Sequence, residues 1–285
     1  MTKPVYEFIL WPNCTNNCRF CWQKEQIKQG KLVKLTFDEK TQALSDVYHF
    51  LLSDKFEHGS HIMLVGGELF DDKRCGSRLL SLLEHVALMM RNDEIDLLYL
   101  NTNLLYRDLS TINQFVQWVG DFNLWHRVRF TTSYDLYGRF ANERARELML
   151  SNLSKLTKYP QLQVVVNIIM TKQLCDAVLH GRFDLSEFAS TYKCDLHLIP
   201  YIVLGSDMTP TLSTIVQTLR SYYTDSQLVD YVQRLDLNQD KRIYQWQHGK
   251  LVNVSAPLAD CGHAVNFRNY GKGSCYICDL KELLE

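Results

Sequence analysis

Asn13-Cys14-Thr15-Asn16-Asn17-Cys18-Arg19-Phe20-Cys21-Trp22 comes just after an apolar run, Val5 to Leu10. That run reads as a buried strand, so three cysteines in C-x3-C-x2-C spacing stand on the loop leaving its C-terminal end. Open α/β sheets and α/β barrels place their chemistry at that end. A cubane iron–sulfur cluster usually has four cysteine ligands, so three local thiolates leave one iron open to another ligand. The competing reading is a structural zinc site, which prefers C-x2-C pairs and needs a fourth ligand close by. The dozen residues after Cys21 contain neither Cys nor His.

Downstream, a polar, lysine-rich bridge spans Gln23 to Lys34, and Thr36-Phe37-Asp38-Glu39 reads as a capping box. Ala43, Val47, Phe50 and Leu51 then recur at helical spacing. His61 to Val65 is a short apolar strand that ends in Gly66-Gly67-Glu68. Two glycines there remove side chains where backbone must approach closely, and the carboxylate behind them can accept from an ammonium group.

With Phe20 before the last cysteine and Gly66-Gly67-Glu68 one strand–helix unit later, the sequence resembles the radical S-adenosylmethionine (radical SAM) superfamily. The resemblance implies that Cys14, Cys18 and Cys21 hold a 4Fe–4S cluster whose open iron is chelated by the methionine moiety of S-adenosylmethionine. In that family an electron from the cluster splits the sulfonium, and the resulting 5′-deoxyadenosyl radical takes a hydrogen atom from substrate. It further implies that Gly66, Gly67 and Glu68 contact the methionyl amino group, with Phe20 on the cofactor side.

The rest of the chain alternates strand and helix. Leu79, Leu83, Val86 and Met90 mark a helix, and Asp96 to Leu100 a strand ending Asn101-Thr102-Asn103. A helix through Leu109, Ile112, Val116 and Val119, capped by Asp108 and closed by Gly120, precedes a strand at Arg127 to Thr131. A helix through Ala145, Met149, Leu153 and Leu156 leads to strands at Gln163 to Met170 and Asp195 to Tyr201. Such alternation implies a parallel sheet. Six units fit the partial (β/α)6 barrel of the resembled superfamily, an α/β fold with a small cysteine-rich extension.

Polar residues at the strand ends are the remaining cofactor-site candidates. Asn101 and Asn103 follow the third strand and Ser133 and Asp135 the fourth, where the family often carries serine–x–aspartate. Asn167 interrupts an apolar strand, so its amide needs a partner. Each has the alternative of capping a helix or satisfying a loop. For the methionyl carboxylate the family expects a cation beyond the fourth strand. Arg139, Arg144 and Arg146 compete, with Arg139 nearest the strand end.

Past residue 205 the pattern changes. Thr214 to Leu235 reads as helical, and a hairpin is expected around His248-Gly249. Cys261, Cys275 and Cys278, with His263, resemble a reduced form of the C-terminal auxiliary-cluster extensions called SPASM and twitch. A second 4Fe–4S cluster, a Cys3His zinc site and free thiols are the three readings. The expected division is a core at 1–205, a helical connection at 206–240 and the cysteine-rich extension at 241–285.

The bulk composition agrees. In 285 residues, 46% hydrophobic, with 13 Gly and 6 Pro, there is material for one large core or about two domains and little for a disordered linker. No apolar run approaches the ~20 residues of a membrane span, and no secretory signal opens the chain, so a cytoplasmic protein is expected. Six of the nine cysteines fall in the two clusters, and Cys75, Cys175 and Cys194 are expected as buried small hydrophobes. A net charge of −1 gives no support to a nucleic-acid partner. The expected activity is reductive cleavage of S-adenosylmethionine followed by hydrogen abstraction, as an oxidoreductase or transferase, from a peptide or protein. A small molecule or nucleotide-type metabolite is the alternative substrate, and a non-catalytic iron–sulfur or zinc scaffold the alternative class. An electron donor such as flavodoxin or ferredoxin is the implied partner.

Overall fold

The computed structural model describes residues 3–16, 18–19, 21–30, 32–70, 74–136, 138–201, 206–237, 241–247, 249–255 and 276–284. Its strands are β1 (Val5–Ile9), β2 (Ser60–Val65), β3 (Ile95–Asn101), β4 (Val128–Tyr134), β5 (Gln163–Met170), β6 (Asp195–Pro200), β7 (Lys241–Gln247) and β8 (Lys250–Asn253). The helices are α1 (Trp22–Lys28), α2 (Phe37–Leu51), α3 (Gly76–Arg91), α4 (Ser110–Asp121) and α5 (Glu143–Leu156). They continue as α6 (Lys172–Leu179), α7 (Leu185–Tyr192), α8 (Leu212–Tyr222), α9 (Asp225–Leu237) and α10 (Tyr276–Leu284). The strands form one sheet in the order β6-β5-β4-β3-β2-β1-β7-β8, parallel throughout except for the final β7–β8 hairpin. β6 and β8 stand at opposite edges, so the sheet is an open, partial barrel. The expected hairpin therefore extends the core sheet, with β7 pairing on β1 over five residues.

Alternation along the strands divides the two faces. On β4, Val128, Phe130, Thr132 and Tyr134 are buried, while Arg129, Thr131 and Ser133 are half-buried; β5 repeats the pattern. The buried set meets the helices. Phe50 of α2 packs edge-on against Tyr6 and Phe8, and Phe115 of α4 does the same against Phe130. Phe188 of α7 lies tilted against Tyr134. The opposite face mixes charged and polar side chains with apolar ones such as Met63, Val165 and Ile169 and is only half-covered. There Lys241 pairs with Glu7 at 3.1 Å, and Arg129 reaches the Gln163 amide oxygen and the Tyr99 ring.

The capping box at α2 forms as the sequence suggests, with Thr36 accepting from Glu39 N–H and the Glu39 carboxylate accepting from Thr36 N–H. Three local readings differ. Part of the lysine-rich bridge winds into α1. Asp108 accepts from Ser110 N–H at 2.9 Å but lies one residue outside the α4 N-cap, Leu109. Gly120 lies inside α4, and a β-carbon there would meet the Trp125 ring at 2.9 Å, so its role is close packing and not a stop.

The end of β2 lies directly on the segment leading into the cysteine loop. Gly67 N–H donates to Trp11 O at 2.7 Å, Glu68 N–H to Asn13 O at 2.9 Å, and the Trp11 indole to Glu68 O at 2.9 Å. A β-carbon on Gly66 would stand 2.7 Å from Trp11 O, and one on Gly67 would overlap the Asn13 carbonyl. The close approach that the paired glycines permit is therefore made by the chain itself. Asn13 carries the contact onward, as its side-chain amide accepts from Leu35 N–H at 2.8 Å and donates to Leu35 O at 3.0 Å. Because the atoms facing Gly67 are backbone, they cannot swing aside as a side chain would. Gly67→Ala is expected to destabilise the protein by about 3 kcal/mol in urea unfolding; a loss below about 1 kcal/mol would show that the contact is slack.

Candidate functional site

The cysteine loop, the β2 end and the β3 end converge at the C-terminal edge of the sheet. Cys18 is buried, and Cys14 and Cys21 are half-buried. Asn16 spans the loop: its backbone N–H donates to Cys14 Sγ at 3.4 Å and its side-chain amide to Cys18 Sγ at 3.1 Å. From the β3 end, the Asn103 amide donates to Cys14 Sγ at 3.4 Å. Burial pushes the Cys14 thiol from its ordinary 9.0 up to about 11. The bonds from Asn16 and Asn103 oppose that rise, and the Glu68 and Cys18 charges add to it. Burial also raises Cys18, against the pull of the Arg139 guanidinium.

Glu68, only 2% exposed, ties β2 to β3. Its carboxylate accepts from Phe70 N–H at 3.1 Å, from the Thr102 hydroxyl at 2.9 Å and from Asn103 N–H. The Thr102 hydroxyl oxygen also lies in hydrogen-bond contact with the Tyr106 hydroxyl at 3.1 Å, and burial holds that phenol well above its ordinary value. The described Glu68 contacts thus serve first to hold the strand ends in register beside the thiols.

After β4 the Asp135 carboxylate, fully buried, accepts from Gly138 N–H and from the Thr171 hydroxyl at 3.2 Å. Gly138 O accepts from Arg19 N–H at 2.8 Å, fastening this turn to the cysteine loop. Arg139, 9% exposed, stands on the turn beside Cys18, and its Nε has no hydrogen-bond partner among the described residues. The other two arginines are placed differently: Arg144 is exposed, and Arg146 pairs with Glu143 on its own helix. At the β3 end the Asn101 side-chain oxygen is likewise buried without a partner among the described residues. Ser133, Asn167 and His197 stand in register across β4, β5 and β6, and Asn167 Oδ1 lies 3.3 Å from His197 Nδ1. Asn167 therefore has a protein partner, which the sequence pattern did not name.

Phe20, Cys261, His263 and Cys275 lie outside the described residues, and Cys278 is half-buried on α10. Trp11, Thr102 and Thr171 escape sequence reasoning because no spacing rule marks a residue whose partner comes from another strand end, whereas Asn16 and Tyr106 have partners two and four residues away but carry no motif of their own.

Among the described residues, no three Cys, His, Asp or Glu side chains gather tightly enough to hold one metal ion. A cubane places each thiolate on its own iron, so its ligands surround a body and do not converge on a point. Three neighbouring thiols with N–H donors on two of their sulfurs, a guanidinium beside them, and two buried polar atoms lacking described partners fit such a cluster and a charged ligand next to it.

No protein-family model and no curated protein matches the chain. Solved structures do. A hexahistidine-tagged form of anSMEcpe with bound AdoMet is similar over 84% of this chain and 62% of that one, at 12% identity and a TM-score of 0.51. Native anSMEcpe with bound AdoMet is similar over 84% and 63%, at 12% identity and a TM-score of 0.48. The chain thus spans less than two thirds of the length of these neighbours. At this identity the likeness is one of fold, and the fold shared with the first is the mostly parallel, open α/β barrel described above.

Proposed function

We propose that this chain is a radical SAM enzyme that cleaves S-adenosylmethionine reductively and uses the product to abstract hydrogen from a substrate. One observation carries the reading: the three-cysteine loop is locked onto Gly66-Gly67-Glu68 at the sheet edge where Asn101 and Arg139 each bury a polar atom without a described protein partner. The fold shared with a protein solved with AdoMet bound supports it.

A 4Fe–4S cluster held by Cys14, Cys18 and Cys21 would supply one electron, received from a donor such as flavodoxin or ferredoxin, to split the sulfonium. The protein's own residues bind, orient and shield. Arg139 offers its guanidinium to the methionyl carboxylate, and Asn101 offers an acceptor oxygen. Trp11, Leu10 and Leu104, each essentially inaccessible, close the helix side of the loop to water. Glu68 and Asp135 hold the β2–β3 and β4 turns so that these groups converge. The half-covered face of the sheet is where the substrate lies, bordered by Ser133, Asn167 and His197. No helix among the described residues is long and apolar enough to cross a membrane.

Two outcomes are expected. Cys18→Ala, assayed without oxygen with a strong reductant, forms no 5′-deoxyadenosine and loses iron at this site; undiminished cleavage contradicts the assignment. Arg139→Leu weakens S-adenosylmethionine binding by calorimetry on the reconstituted protein by roughly tenfold to a hundredfold, the worth of a charged hydrogen bond. Arg139→Lys keeps part of that affinity, and an unchanged Kd in both variants removes Arg139 from the site.

A further inference from the structure

The hydrogen bonds onto the cysteine sulfurs trace back to a buried residue on the far side of the β3 end. Asn103 is 5% exposed, and its side-chain oxygen accepts from Leu105 N–H at 2.7 Å. That bond fixes which end of the amide is which, so the NH2 group is the one facing Cys14 Sγ. The next residue, Leu104, is buried in the left-handed region with φ of 57°, a conformation that a leucine holds only when its surroundings enforce it. Thr102 Oγ1 accepts from Leu104 N–H at 3.2 Å. Asn152 of α5, 1% exposed, donates to Leu104 O at 2.9 Å and to Tyr106 O at 2.8 Å. Its oxygen in turn accepts from Lys155 Nζ at 3.4 Å. An asparagine in the middle of a helix thus clamps the strained turn that aims Asn103 at the sulfur.

We propose that Asn16 and Asn103 raise the reduction potential of the cluster held by Cys14, Cys18 and Cys21, and that Asn152 positions Asn103 to do so. This rests on the cluster reading above. Reduction adds negative charge to a site already facing the buried Glu68 carboxylate, which opposes it. N–H groups aimed at thiolate sulfurs draw electron density away and favour the reduced form.

The test is an EPR-monitored redox titration of anaerobically reconstituted full-length protein, with iron content and thermal melting measured alongside. Asn16→Ala and Asn103→Leu are each expected to move the midpoint to a more negative potential while iron content stays at the wild-type level. Asn152→Ala shifts it in the same direction, and Asn103→Leu/Asn152→Ala goes no further than Asn103→Leu alone. A purely structural role would lower the melting temperature and leave the potential unchanged. Should Asn152→Ala bind no iron, Asn16→Ala and Asn103→Leu still decide the question. Equal potentials in wild type and both single variants, in protein that cleaves S-adenosylmethionine, overturn this inference alone. Wild-type protein that assembles no cluster overturns the inference and the proposed function together.

Discussion

Backbone lies against backbone where Gly67 meets the Asn13 carbonyl, and the geometry of the site follows from that contact. β1 and β2 are already parallel partners, with Ile9 opposite Val65. Extending their pairing past the strand ends brings residues 11–13 and 66–68 into hydrogen-bonding range. Any side chain at position 67 would force the two segments apart. The cysteine loop then begins from a fixed platform, and Asn13 transmits the same constraint to Leu35 at the entry to α2. A loop anchored at its root can hold three thiols in a constant relation.

Onto this platform the fold brings charges that oppose one another. Glu68 and Asp135 are carboxylates buried within reach of the cysteines, and both are held by hydrogen-bond donors from neighbouring turns. Arg139 brings a guanidinium to the same region, fastened there through the Gly138–Arg19 bond. Burying any one of these groups alone would be unfavourable. Together they form a partly compensated polar cluster that still leaves Asn101 Oδ1 and Arg139 Nε without partners among the described residues. Buried polar atoms in that state favour a polar ligand over an empty apolar cleft.

The layout of the barrel was legible from apolar runs, because each strand buries one face under helices and the helices carry their own period. The Thr36–Glu39 cap was equally legible, since its partners are three residues apart and need no tertiary information. Gly120 misled because a glycine near a helix end resembles a stop, whereas here it makes room for the Trp125 ring from a later segment. The fold brings the cysteine and Gly-Gly-Glu motifs side by side, but the contacts of Glu68 with Thr102 and Asn103 span more than thirty residues and have no local signature. Asn152 was least legible of all. In sequence it is one polar residue on a half-polar helix, and only the fold shows both its N–H groups spent on the turn at Leu104 and Tyr106.

The proposed function centres on an iron that the polypeptide would leave open for S-adenosylmethionine. The most direct measurement is electron–nuclear double resonance on the reduced, reconstituted protein mixed with S-adenosylmethionine isotopically labelled at its amino nitrogen and carboxylate oxygen. Hyperfine coupling from both labels is the predicted result, showing each atom bound to a cluster iron. A cluster with full iron content and no coupling from either label, its last position closed by a protein side chain, would contradict that centre.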